Sequence, residues 1–372
     1  MSKTVTINIV GDFCVQSLNG LRFGDRLNQA LHAADINVVN FESPLEADGA
    51  KPITKSGPNL WQSDECPEFL QQQGFNVVCL ANNHMMDYGE SSMRKTLQAF
   101  GAVTLVGGGT FDEAYQIKVI NIEGRRIGFL SLTQNEFGTL NETVADDSTG
   151  TAWMLHPCVD EIIVKAKTVC DVLIVIPHAG LEHFELPLPE LRTLYKHWLT
   201  MGADAVIGGH PHVVQGYEEY QGKPIAYSLG NFCFDKPDGD SQWYDGLLVQ
   251  LQVSDEGITF TPQLIHYDGN SRTVELEDAA DKTAHLNDLC RILQDEEEYT
   301  KAVNERCLSL ESHYTMLLEM AGYYQPTIRK CLGLIKRFLL HQEPPYNKAH
   351  AINCLRCETH RWVLDRIYKL KN

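Results

Sequence analysis

Along the first 270 residues, short apolar, β-branched runs alternate with stretches of helical spacing. Thr4–Val10, Ile36–Phe41, Asn76–Leu80 and Val103–Val106 read as strands. Leu21–Ala33, Pro67–Gln73 and Ser91–Phe100 read as the helices between them, the last stopped by Gly101. Strand–helix–strand repeats of this kind predict crossover connections and a largely parallel sheet.

Beyond residue 115 hairpins join the pattern. Ile117–Ile122 pairs with Arg126–Leu132, Val213–Glu219 with Ile225–Ser228, and Leu247–Val253 with Ile258–Ile265, each across a Gly-containing turn. Helices Val159–Val169 and Pro189–Met201 and strands Val172–Ile176 and Ala205–Ile207 keep the α/β character. Two sheets with helices outside fit this mixture better than one doubly wound sheet. After about residue 275 strand signals end, and residues 279–340 carry helical spacing. Pro344-Pro345 breaks the pattern, and Asn353–Leu370 reads as one final amphipathic helix. The expected division is an α/β domain over residues 1–274 and a helical extension over 275–372 that covers a sheet or makes a contact between copies.

Composition narrows the class. With 43% hydrophobic and 22% charged residues the 372-residue chain is globular, and no apolar run is long enough for a membrane span. The first residues read as a strand, not a secretion signal, so a cytoplasmic protein is expected. Net charge is −18; residues 281–372 carry 14 basic against 12 acidic side chains, so the deficit lies in the α/β part. That balance disfavours duplex nucleic acid as a partner. The 11 cysteines show no disulfide framework and read as thiols in a reducing compartment. Cys354-x-x-Cys357, followed by His360, lacks the second half of a zinc site.

Polar residues recur just past the apolar strands. Asp12 follows Ile7–Val10, Asn40 and Glu42 close Ile36–Phe41, Asn82-Asn83-His84 follow Val77–Leu80, His178 follows Val172–Ile176, and His210-Pro211-His212 follow Val206–Ile207. Loops beyond strand C-termini form the crevice of an open α/β sheet, so five strands deliver N and O donors to one edge. Mixed N/O donors suit Mn, Fe or Zn, and a carboxylate bridging two divalent ions suits hydrolysis at phosphorus. Each residue alone has a plainer reading as a turn, cap or hydrogen-bonded core residue; the combination does not. Gly107-Gly108-Gly109-Thr110 reads as a tight strand-to-helix turn, and Trp153 and Trp243 as core or rim packing.

The stretches GDFC (11–14), VNFESPL (39–45), LANNHMMDYG (80–89), GGGTFDEA (107–114), IPHAGLEHFELP (176–187), GADAVIGGHPHVVQGYE (202–218) and IAYSLGNFCFD (225–235) resemble the CapA family of capsule (poly-γ-glutamate) biosynthesis proteins, within the calcineurin-like metallophosphoesterase superfamily. The resemblance implies a four-layer α/β/β/α sandwich, here with a helical C-terminal extension. It implies two divalent metal ions held by Asp12, Glu42, Asn83, His178, His210 and His212, with His84 as the catalytic acid facing the phosphoryl group. Asn82, Asp87, Glu182 and Asn231 belong to the family's motifs and are expected around the ligands or in the pocket. Two departures stand out: Cys14 occupies the position of a metal-binding His in the superfamily, and the bridging place carries Glu42 instead of Asp.

Three functions follow as expectations. The first is a metal-dependent phosphoesterase-like hydrolase acting on a small phosphorylated or polymer-derived substrate in capsule or cell-surface polymer synthesis. The second is hydrolysis or transfer at γ-glutamyl amide bonds. The third is a non-catalytic assembly subunit that contacts a protein partner, or a second copy, through the helical tail.

Overall fold

The computed structural model describes residues 3–140, 148–235, 241–318 and 348–371. Pro344-Pro345 and residues 319–340 of the predicted helical stretch lie outside these. The first sheet is built on β1 (Val5–Cys14), with β2 (Arg22–Phe23), β3 (Ile36–Phe41), β4 (Val77–Cys79) and β5 (Thr104–Val106). A small sheet contains β6 (Gly108–Gly109), and the second large sheet opens with the hairpin β7 (Lys118–Ile122) and β8 (Arg125–Thr133). β9 (Thr139–Leu140) and β10 (Gly150–Ala152) complete the small sheet. β11 (Val172–His178), β12 (Ala205–Ile207), β13 (Tyr217–Tyr220) and β14 (Lys223–Ala226) extend the second. β15 (Asn231–Phe234), β16 (Asp245–Ser254), β17 (Gly257–Asp268) and β18 (Thr273–Glu277) return to the first.

The first sheet runs β2-β18-β17-β16-β1-β3-β4-β5, with β15 also on β1; the second runs β13-β14-β12-β11-β8-β7. Their facing surfaces meet in a shared core, with Ile7, Ile9, Val38 and Val77 opposite Ile127, Phe129, Ile174 and Ile207. Strands buried on both faces explain why these segments read as continuous apolar runs. Outside the first sheet lie α1 (Asp25–Ala33), α2 (Cys66–Gln72) and α3 (Gly89–Ala99), which bury Leu27, Leu31, Leu70 and Met93. Next to the small sheet sits α4 (Phe111–Ala114). Outside the second sheet lie α5 (Cys158–Lys165) and α6 (Pro189–Met201) around Tyr195 and Trp198. The architecture is thus the expected α/β/β/α sandwich.

The tail contains α7 (Ala280–Gln294), α8 (Glu296–Ser309), α9 (Glu311–Leu318), α10 (Lys348–Arg356) and α11 (Glu358–Lys371). Val303, Cys307, Val363 and Ile367 join the same outer core as Tyr195 and Trp198. Among the described residues no helix is long and apolar enough to cross a membrane.

Besides the short strands β6, β9, β10 and β15, which the sequence reading lacked, three elements differ from it. The helix predicted over Leu21–Ala33 starts at Asp25, because Arg22 and Phe23 pair with Thr273 and Val274 as an edge strand. The strand β18 that they pair with was not among the predicted elements. The final helix predicted over Asn353–Leu370 is divided between Arg356 and Glu358. That break turns Asn353 at the end of α10 and Glu358 and Thr359 at the start of α11 toward one loop, residues 134–136.

Candidate metal centre

The end of β1 sets the frame. Asp12 pairs in register with Asn40 of β3 on one side and Asn231 of β15 on the other, with the ladder shifting at this level. Gly11 permits it: a Cβ there would lie 1.9 Å from the Gly230 carbonyl oxygen. Asp12 and Glu42 are both 0% exposed. His178 ends β11, and the loop after β12 carries His210 and His212.

Two groups of donors converge here: Glu42, His178 and His210, and Asp12, Glu42 and His212, with the donor atoms of each group within 4.8 Å of one another. His178 Nε2 is 3.3 Å from Glu42 Oε1, 3.1 Å from Asn83 Oδ1 and 3.1 Å from His210 Nδ1. His212 Nδ1 is 3.6 Å from Asp12 Oδ2, and its Nε2 is 3.7 Å from Glu42 Oε1. All the residues expected as ligands therefore meet, and Glu42 belongs to both groups. His210 and His212 hold φ at 96° and 60°, a left-handed backbone that costs a non-glycine residue about 1–3 kcal/mol. Their packing around Pro211 aims both imidazoles inward.

The electrostatics fit a cation. Asp12 Oδ2 and both oxygens of Glu42 are buried without a hydrogen-bond partner among the described residues, a costly state for carboxylate oxygens. Burial, with Asp12 alongside, pushes the Glu42 carboxyl well above its usual range. Burial lowers His178 to about 4 and His210 to about 3, so both are neutral imidazoles with lone pairs to offer. His212 is raised, because Glu42 and Asp12 outweigh its burial. Orphaned carboxylate oxygens beside neutral imidazoles are the donor set that a divalent N/O-ligated metal requires.

His84 sits at the rim. Its Nδ1 lies 2.7 Å from Asp87 Oδ2 and 3.0 Å from Lys55 Nζ, and Lys55 also bridges to Asp87. Burial and the Lys55 charge lower its pKa. The ring borders a cavity of about 450 Å³ that Asn83 and His210 also line. Asn82 ties this loop to β3 through Asn40 Oδ1 at 3.1 Å and the Phe41 carbonyl at 2.9 Å. Asn231 Oδ1 is 3.0 Å from His212 Nδ1, while its amide nitrogen donates to the Trp243 carbonyl. Glu182 borders the cavity but lies outside both donor groups.

Sequence reasoning placed Asn40 at the edge without a role, and missed Gln134, Glu136 and Lys55. Asn40 donates to Asp12 Oδ1 at 2.8 Å and lies 3.2 Å from His178 Nδ1; its place beside Glu42 at a strand end was the available signal. Gln134 Nε2 is 2.9 Å from His210 Nε2 and 2.6 Å from Glu136 Oε1. Lys55, buried between His84 and Asp87, had no signal at all. Cys14 is a buried thiol 3.3 Å from Ser43 Oγ, packed near Leu60, Phe234 and Trp243, and joins neither donor group. In the triple-glycine turn, Glu113 and Thr110 close a capping box at the following helix. A third acidic group, Asp245, His266 and Glu277, encloses Lys282, whose Nζ lies 2.8 Å from Asp245 and 2.6 Å from Glu277.

Residues 21–236 match the family described as bacterial capsule synthesis protein PGA_cap. The chain belongs to that family. Among curated PGA_cap relatives, capsule biosynthesis protein CapA of Bacillus anthracis is 34% identical over 227 residues, 59% of this chain and 54% of the relative. PGA biosynthesis protein CapA of Bacillus subtilis (strain 168) is 32% identical over 249 residues, 63% of this chain and 62% of the relative. The matches thus span between half and two thirds of these relatives. A solved structure, 5'-nucleotidase from Candida albicans SC5314, aligns with 81% of this chain and 58% of its own at 11% identity and a TM-score of 0.40, too loosely to transfer chemistry. The PGA_cap match ends before α7, so the tail helices stand outside it.

Proposed function

We propose that this PGA_cap chain is a metal-dependent, phosphoesterase-like hydrolase of the cytoplasm, acting on a small phosphorylated or polymer-derived substrate in capsule or cell-surface polymer biosynthesis. The sharing of Glu42 between two donor groups carries this reading. Asp12, Glu42, Asn83, His178, His210 and His212 would hold two divalent ions, which when bound lower the pKa of water and polarise an ester oxygen. The relatives' names, capsule biosynthesis and PGA biosynthesis, support the biological setting. The ten described cysteines, all unpaired, support a reducing compartment.

The chain's own residues supply positioning and a proton. Asn40 and Asn82 orient the carboxylate row, and Asn231 orients His212. His84 protonates the leaving oxygen through Nε2. Asp87 Oδ2, 2.7 Å from Nδ1, accepts from that nitrogen and is itself held by Lys55, so the imidazolium gives up its Nε2 proton and is left as neutral imidazole. The cavity beside it has room for a small substrate.

Metal content per chain, measured on tag-free protein, tests the reading against His210→Ala/His212→Ala. About two ions, lost in the double variant, are expected; none after incubation with Mn or Zn would refute it. His84→Ala should then retain metal and lose turnover by about 100-fold or more. Assays pairing a phosphoester with a γ-glutamyl amide decide between the two hydrolytic reactions. A second, non-catalytic reading is favoured by Leu355 and Ile352 on α10, 70% and 51% exposed. Leu355→Glu should abolish association with a second copy or a protein partner if that face docks.

A further inference from the structure

The 450 Å³ cavity has two unlike walls. One is the sheet edge, with Asn83, His84 and His210. The other comes from the tail: Arg306 of α8, Tyr314 of α9, His350 and Asn353 of α10, and His360 of α11. This second wall lies outside residues 21–236, the part shared with the family.

The tail wall is fixed to the site by consecutive contacts. Thr359 donates to Gln134 Oε1 at 2.7 Å, the Asn135 amide donates to Glu358 Oε2 at 2.8 Å, and Asn353 donates to Glu136 Oε2 at 3.1 Å. Arg356 adds a bond to the Glu136 carbonyl at 3.0 Å. Because Gln134 also touches His210, the wall and the donor groups form one connected framework.

Arg306 is the unusual member. Its Nε is buried without an acceptor, and no carboxylate pairs with it among the described residues. Among the described residues its Nη2 meets the His183 carbonyl, at 3.4 Å, and its guanidinium lies over the Phe184 ring, 6.0 Å from the centroid. The side chain is half-buried, but a buried N–H left unused is costly unless an acceptor completes it, and the guanidinium fork suits a two-oxygen group. His360 is already oriented, with Nδ1 2.6 Å from Tyr314 Oη and Nε2 3.4 Å from Asn353 Nδ2.

We propose that Arg306, in the wall it shares with His350 and His360, anchors a subsite for a second anionic group on the substrate, a carboxylate or phosphate held across the cavity from the donor groups of the sheet edge. This rests on the hydrolase reading for the identity of the reacting end, but not for anion binding itself. The substrate class is then a compact molecule with a scissile bond at one end and an oxyanion at the other.

Titration calorimetry of the full-length protein tests this, with inorganic phosphate and succinate as probes, metal-loaded and after chelation. Chelated wild-type protein should bind a probe, and Arg306→Gln should weaken it about tenfold or more with metal content unchanged. Arg306→Lys, which keeps the charge but not the fork, should fall between. The tighter of the two probes identifies the group. Equal affinity in wild type and Arg306→Gln, or no binding by chelated wild type, would overturn the subsite. If Arg306→Gln does not fold, wild-type affinity in Arg306→Lys overturns it instead. Arg306-dependent anion binding in a protein that takes up no metal would overturn the hydrolase reading alone.

Discussion

Asn40 donates a 2.8 Å hydrogen bond to Asp12 Oδ1, and this bond decides which oxygen of Asp12 serves the site. Oδ2 is left without a donor, 3.6 Å from His212. Asn40→Ala should leave the fold intact and weaken metal binding by about 10–100-fold, as outer-shell losses do. Competition against a chromophoric chelator measures it; unchanged affinity would remove Asn40 from the support of the centre.

Glu42→Gln should act in opposite directions on binding and stability. Glu42 is buried beside Asp12; burial and that neighbour together push its carboxyl well above the usual range, and both of its oxygens lack partners among the described residues. In chelated protein the amide should therefore stabilise the fold by about 1–3 kcal/mol while metal uptake falls. Urea unfolding in chelator, alongside metal analysis, checks both. A destabilised variant would contradict the repulsion inferred here.

Glu358 anchors the tail from inside. It accepts from the Asn135 amide at 2.8 Å and from Trp153 Nε1 at 2.5 Å. Glu358→Ala leaves the buried Asn135 amide and the half-buried Trp153 indole unpaired and should cost about 2–4 kcal/mol. Trp153 emission should shift as its indole N–H loses its acceptor. Glu358→Gln, which keeps one acceptor oxygen, should cost less.

Asp245 links the first sheet to α7. Burial pushes its carboxyl up, but hydrogen bonds from His266 at 2.7 Å and Lys282 at 2.8 Å bring it below the usual range. A depressed folded pKa gives stability that is present above the unfolded value, near about 3.9, and lost as pH falls through the folded one. Wild-type protein should therefore lose about 1 kcal/mol more than Asp245→Asn on acidification below about pH 4. Parallel acid limbs in the two proteins would show that the bonds add nothing.

The strand ends were legible because the site is built from them. Each apolar run, buried on both faces, stops where a polar residue must point into the crevice, so Asp12, Glu42, Asn83, His178, His210 and His212 all announce themselves locally. Lys55 and Gln134 do not. Lys55 reaches Asp87 across 32 positions and Gln134 reaches His210 across 76, and neither lies in a periodic or motif-bearing stretch. The helix–strand boundary at Leu21–Phe23 went astray for the same reason. Arg22 and Phe23 are a strand only because Thr273 and Val274 lie beside them. The break between Arg356 and Glu358 is likewise set by a loop more than 200 positions upstream, to which a helical periodicity is blind.

The wall formed by α8 to α11 has a consequence in time. A nascent chain carries both donor groups and the Asn231 that touches them by the time Asn231 has emerged, yet Asn353, Glu358 and Thr359 follow 122 or more positions later. At ordinary translation speeds that interval is about 6–24 s. During it the carboxylate–imidazole crevice stands open on one side, and metal loading would have its widest access before the tail arrives to close the chamber. Synthesis itself would order the two events, first cation, then enclosure.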